Sequence, residues 1–293
     1  MLCNKVVNSK GLLFVLLQII LYMTFLILDF TGEYINIARN IKFSIIIICF
    51  CYAIFQGKGA DRSIIFCLKT ALLFTVISDL FILMMDYYIY GVLTFIVVQQ
   101  LYGARLILSE IGTIDGVKEG IGDRWEVEIR DCGKVGIRDK EKNVRIYSIR
   151  GRKSRELFLK KLALRIFFQV AITLSVCIML IALGASLEVL IIISAFYFVC
   201  IITNTVTAIK AAFHTSYNEG NVLFAIGMGL FLLCDINVGI FNLSSFVALP
   251  ENIYDVVYPI SSILMWIFYA PSQVLITLST TKMEGIRDDK ANR

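Results

Sequence analysis

Only one histidine occurs in the 293 residues, and only 17% of the residues are charged. A zinc site draws several His, Cys or carboxylate ligands together, so the lone His214 argues against one. Low charge combined with 58% hydrophobic residues and a mean hydropathy of +0.78 excludes an ordinary soluble domain. The eight cysteines form no pairwise framework of the kind that staples secreted domains, and most stand within apolar runs as small side chains. The basic start of the chain and the apolar run after it lack a small-residue cleavage site, so that run reads as a helix and not a secretory signal. No cofactor is expected.

What is present is a series of apolar runs long enough to cross a bilayer core of roughly 30 Å. They place helices at about 11–30, 41–57, 64–86, 88–110, 162–183, 187–213, 220–242 and 257–281. Lys and Arg collect on the cytoplasmic side of short connections. Lys5, Lys10, Lys58, Arg62, Lys210 and the tail residues Lys282, Arg287, Lys290 and Arg293 fall on one side, whereas the other side holds only Arg39 and Lys42. Eight spans with both termini in the cytoplasm sort the charges this way. The expectation is an all-α, multi-pass protein of the cell membrane, with helices one to four in residues 1–110, four more in 162–281 and a tail at 282–293.

Residues 111–161 break the pattern. Alternation in Trp125 to Arg130, Lys134 to Arg138 and Val144 to Ile149, punctuated by Asp131-Cys132-Gly133 and Asp139 to Asn143, predicts a small cytoplasmic β meander, with a basic helix over Arg152 to Lys161. The stretch 111–165 carries 15 Lys and Arg against 9 Asp and Glu. Beside a membrane, that surplus favours anionic lipid headgroups over nucleic acid as a partner, although retention of positive charge in the cytoplasm explains it as well. A regulatory role competes with the simpler reading of a solvated loop elaboration.

Two acids lie deep in apolar spans. Asp79 and Asp235 each fall fifteen residues into their predicted helices, roughly 22 Å from the inner end at 1.5 Å per residue. Keeping an ionisable group at membrane depth costs about 2.5 to 3.5 kcal/mol, so a chain that keeps two usually places them in a lined cavity. Helix eight adds a polar stripe of Ser262, Trp266, Tyr269, Gln273 and Thr277; helix four offers Gln99 and Tyr102, and helix six Tyr197 and Asn204. Interhelical hydrogen bonding accounts for such polar residues equally well. Two carboxylates with no basic residue at their depth are harder to explain in that way. Lys69 and Arg105 are expected to snorkel towards the cytoplasm. Lys42 opens helix two on the outer side, where it either snorkels or holds a lipid phosphate.

The run Leu72 to Leu83 around Ser78-Asp79, then Gly91, Phe95, Gln99 and Tyr102, resembles helices three and four of the YhhN-like lysoplasmalogenase family. Leu230 to Asp235 and Tyr269-x-x-x-Gln273 resemble its last two helices. This sequence has Phe43, Ser78, Gln99 and Cys234 where the family usually has Pro, Gly, His and Ser. The resemblance implies a single-chain lipid substrate and hydrolysis of the vinyl ether of lysoplasmalogen to a fatty aldehyde and a glycerophospho-ethanolamine or -choline. Asp79 would be the general acid and Asp235 the base, with the roles exchangeable. Gln99, Tyr102, Tyr269 and Gln273 would position ether or water, and Lys42 the headgroup. Two other classes remain open: a proton-coupled transporter using the acids as a relay, and a non-catalytic lipid sensor.

Overall fold

The computed structural model describes residues 10–32, 34–56, 62–112, 154–182, 188–214, 218–242 and 254–280. These form eight helices, each long and apolar enough to cross a membrane: α1 (Lys10–Thr31), α2 (Ile35–Phe55), α3 (Arg62–Met84), α4 (Tyr88–Gly112), α5 (Ser154–Ala182), α6 (Val189–Phe213), α7 (Glu219–Phe241) and α8 (Tyr254–Thr280). The chain is a multi-pass membrane protein. The β meander expected within 111–161 falls on residues 113–153, outside the described residues.

Helix α2 begins six residues before its predicted start. Asn36, Arg39 and Asn40 dilute the hydropathy of this stretch, yet Ala38 among them is buried and the helix runs through. The connection from α1 is short because two consecutive turns use the left-handed region. Gly32 (φ 68°) ends α1 with its N–H on the Leu28 carbonyl at 3.1 Å, and Tyr34 (φ 56°) starts α2. At α7, Asn218 caps the helix by accepting from the Gly220 N–H at 3.0 Å.

Helix α4 is the most enclosed of the eight, packing on α3 on one side and α6 on the other, while α7 and α8 pair along their length and α6 joins the two groups. Helices α1 and α5 lie at the periphery. Leu12, Leu13 and Ile20 of α1 and Phe167, Leu174 and Ile178 of α5 are exposed, as side chains meeting lipid tails would be.

Lipid tails are as apolar as leucine, so close fit and polar contacts, more than hydrophobic burial, must hold the helices together. Two glycines make the fit. A Cβ on Gly227 of α7 would sit 2.8 Å from Ile276 Cγ1 and 3.1 Å from the Ser272 carbonyl oxygen of α8, so only glycine lets these helices approach as they do. A Cβ on Gly91 of α4 would stand 2.3 Å from Ile82 Cγ1 of α3. There the last turn of α3, Leu80–Met84, is π-helical, and the Ser78 hydroxyl donates to the Gly91 carbonyl at 2.6 Å. A π-turn widens the helix by one residue per turn and often marks a functional position. It follows directly after Asp79.

Helix α8 contains Pro271, which has no N–H to offer the Ile267 carbonyl one turn earlier. Tyr22 of α1 fills that place, its hydroxyl donating to the Ile267 oxygen at 3.3 Å. A freed backbone carbonyl inside hydrocarbon must find such a donor.

Candidate functional site

Asp79 ends the regular part of α3 and is buried, and Asp235 lies at a matching position in α7, partly buried. Counted from Arg62 and Glu219, both stand about 25 Å along their helices at 1.5 Å per residue. Each carboxylate takes a hydrogen bond from a tyrosine on a different neighbour. Tyr269 of α8 donates to Asp79 Oδ2 at 2.7 Å, and Tyr197 of α6 donates to Asp235 Oδ2 at 2.6 Å. The acids therefore do not share a proton directly; among the described residues neither hydrogen-bonds to the other. The site consists of two Asp–Tyr pairs.

These pairs belong to one cluster. The buried Cys234, next to Asp235, lies within electrostatic reach of both aspartates, and Tyr269 within that of Tyr197. A wall of rings joins them: Tyr197 to Phe95 (5.9 Å between centroids), Phe95 to Phe231 (5.8 Å) and Phe231 to Tyr269 (5.6 Å). Edge-to-face and tilted contacts of this kind hold rings in fixed orientations, so the two hydroxyls are set by packing as well as by their acceptors. The wall continues from Tyr269 to Trp266 at 5.6 Å, and Trp266 meets the Lys42 ammonium 4.6 Å from its ring centre.

Lys42 is one half of an ion pair. Its Nζ lies 2.7 Å from Oδ2 of Asp29, near the end of α1, with Phe25 on a second side at 5.6 Å. Both side chains are mostly covered, at 13% and 17% exposed. The ammonium is thus held by a carboxylate and two aromatic faces.

The remaining predicted residues divide. Tyr102 is fully buried on α4, its hydroxyl beside Thr75 of α3 and within charge reach of Asp79. Gln273 is fully buried one turn beyond Tyr269, and its Oε1 has no hydrogen-bond partner among the described residues. Gln99 is drawn the other way: its backbone and side-chain oxygens both accept from Asn204 Nδ2 of α6 at 2.7 Å. Lys69 reaches the Ile54 carbonyl of α2 at 2.9 Å. Arg105 does not snorkel. It is fully buried with its guanidinium 3.7 Å above the Phe224 ring, because the face of α4 carrying Gln99, Tyr102 and Arg105 is the one turned into the bundle.

Three partners went unseen in the sequence. Tyr197 was visible only as a polar residue on α6, seven positions from Asn204, with nothing to tie it to Asp235 on another helix. Asp29 looks like an ordinary helix-end acid until α2 brings Lys42 to it. Arg165, within α5, donates to the Asn204 side-chain oxygen of α6, where the sequence shows only one more positive charge near the inner side.

No family model matches the chain, and no curated protein or solved structure matches it. The likeness to lysoplasmalogenases rests on its short motifs alone.

Proposed function

We propose that the protein is an intramembrane hydrolase of single-chain ether lipids, with lysoplasmalogen as substrate and the two Asp–Tyr pairs as its acid–base machinery. The observation that carries this reading is the pairing of each membrane-depth aspartate with its own tyrosine hydroxyl around Cys234. Mere helix-to-helix adhesion needs no carboxylate, since Ser, Asn or Gln would serve without the cost of burying an ionisable group.

In the proposed reaction the Asp79 carboxyl gives its proton to the alkene carbon remote from the ether oxygen. The π electrons form the new C–H bond, and the carbon beside oxygen becomes an oxocarbenium centre. Asp235 faces that centre as a carboxylate and takes a proton from the water that adds to it. The resulting hemiacetal loses its hydroxyl proton to Asp79, its C–O bond to glycerol breaks, and Asp235 returns a proton to the leaving oxygen. Both acids end as they began. Tyr269 and Tyr197 hold one oxygen of each carboxyl, leaving the other for the proton in transit. Gln273 Oε1 and Tyr102 orient water or ether.

The Lys42–Asp29 pair suits a zwitterionic headgroup. Phosphate would take Lys42, while the amine would take Asp29 and the Phe25 and Trp266 faces. Trp266 then connects headgroup to reaction centre through Tyr269, two rings from Asp79. In this reading the Asp29 end of the bundle is the outer one, both termini are cytoplasmic, and the protein resides in the cell membrane.

Purified protein incubated with lysoplasmalogen should release fatty aldehyde, detected by mass spectrometry, and Asp79→Asn and Asp235→Asn should abolish the product. Normal turnover in both variants would overturn the mechanism. Uptake into proteoliposomes that requires both acids, without product from lysolipid, would replace it with transport.

A further inference from the structure

Beyond Tyr269, polar side chains line one face of α8 turn after turn: Tyr269, Gln273, Thr277 and Thr280 are all buried. Tyr269 fixes the direction of that face, since its hydroxyl bonds to Asp79 of α3. Helix α8 packs on α7 and α2 while α3 packs on α4, and the backbones of α3 and α8 come close at few points, so side chains fill the space between them. The contacts of Phe231 with Tyr269 and of Gly227 with Ser272 and Ile276 set the register of α7 against α8. Phe224, about one turn nearer the start of α7 than Gly227, is therefore level with Thr277, and the Tyr102 ring of α4 packs edge-on to it at 5.5 Å between centroids. Tyr102 and Thr277 thus share a depth, about two turns past Tyr269 on the side away from Lys42.

Three polar atoms in this region go unspent. The Tyr102 and Thr277 hydroxyls and Gln273 Oε1 are buried and have no hydrogen-bond partner among the described residues. In Tyr102 and Thr277 the hydroxyl is the side chain's one polar atom, and the Gln273 amide nitrogen has a 3.5 Å contact with Ser272, beside it on the same helix. Adhesion between helices does not describe them. Polar residues with that role reach across, as Asn204 does to Gln99 at 2.7 Å and Gln100 to Gln169 at 3.0 Å. A buried hydroxyl or amide oxygen left unmade is costly, and ordered water is what normally meets it. Two hydroxyls that both give and accept, with an amide oxygen that accepts, suit water and offer no charge to an ionic ligand. Towards Lys42 the character changes, because Tyr269 is flanked there by the Phe231 and Trp266 rings.

We infer that Gln273, Thr277 and Tyr102 line a file of water between α3, α4 and α8, which joins Asp79 to the aqueous phase at the end of the bundle where α8 ends; its purpose rests on the hydrolase reading above. Hydrolysis consumes one water per turnover, and a lipid held at Lys42 fills the other approach. The file brings that water from the opposite end, so the two substrates do not compete for one entrance. No charge moves along it: the water arrives whole and gives up its proton only at Asp235. Thr277 is a positioning residue, acting through water without touching lipid.

The test uses full-length protein in nanodiscs with two readouts, X-ray radiolytic labelling in oxygen-18 water and steady-state kinetics on lysoplasmalogen. Water ionised in place hydroxylates the ring beside it, so oxygen-18 on Tyr102, found by mass spectrometry of its peptide, reports water in the file. Exposed Tyr87 is the positive control. Wild type should label Tyr102, and Thr277→Leu, whose side chain plugs the file, should lose that label and keep the one on Tyr87. Its kcat should fall by about tenfold at unchanged KM, the rate equivalent of one lost hydrogen bond. Thr277→Ser keeps the hydroxyl and should retain both label and kcat. Thr277→Val, close to threonine in volume, should also lose the label, which separates loss of water from disturbed packing. A Tyr102 unlabelled in wild type while Tyr87 is labelled means a dry interior, and a label unchanged in both Thr277→Leu and Thr277→Val means water from the Lys42 end; either overturns the inference. Should the wild-type protein turn over no lysoplasmalogen, the hydrolase reading fails, and the label on Tyr102 still decides the file.

Discussion

Tyr269→Phe is the sharpest single perturbation of the site because it removes one oxygen atom and little else. The ring it leaves behind keeps its contacts with Phe231 and Trp266, each 5.6 Å away between centroids, so the bundle should fold as before. What disappears is a 2.7 Å hydrogen bond to Asp79 Oδ2 in a buried setting. As Asp79 gives up its proton the bond becomes one to a charged group, which contributes about 1.5 to 3 kcal/mol in the transition state, and each 1.36 kcal/mol is tenfold in rate, so the loss corresponds to about 10- to 150-fold. It should fall on kcat, because the bond orients the acid and touches no part of the bound lipid, and KM should stay within about threefold. Initial rates of aldehyde release over a range of lysoplasmalogen concentrations separate the two constants. A Tyr269→Phe variant within twofold of wild type in kcat would refute the reasoning, since Asp79 would then be oriented by something else.

Lys42→Met should raise KM for zwitterionic lysolipid about tenfold while leaving kcat nearly unchanged, the pattern of lost ground-state binding, as read from the same kinetics. Tyr22→Phe should lower the melting temperature of the detergent-solubilised protein by the loss of about 1 kcal/mol. In a Pro271→Ala background the same change should cost nothing, because the new N–H of residue 271 takes the Ile267 carbonyl, and this double-mutant cycle reports that contact alone. Gly91→Ala should destabilise by about 1 to 3 kcal/mol through the clash with Ile82, seen as a lower melting temperature that Ile82→Ala partly restores.

The eight spans were legible because hydropathy responds to length and composition, and both are set locally. The edges moved where polar residues occur inside a helix, as at the start of α2, where Asn36, Arg39 and Asn40 hid a run that is helical throughout. Asp79 and Asp235 stood out for the opposite reason: an acid in an apolar run is costly wherever the run packs. Their partners could not be read, because a tyrosine on α6 or α8 is chemically unremarkable until packing brings it to a carboxylate. Arg105 was misjudged by distance along the helix. Snorkelling depends on which face meets lipid, and the face of α4 shared by Gln99 and Tyr102 points inwards.

The most direct measurement of the central claim is mass spectrometry of the aldehyde formed in deuterated water. Acid protonation of a vinyl ether must leave one solvent deuterium on the carbon next to the carbonyl. The account predicts aldehyde carrying that single deuterium with wild-type protein, and none formed with Asp79→Asn. Aldehyde without deuterium, or equal labelled product from Asp79→Asn, would contradict it.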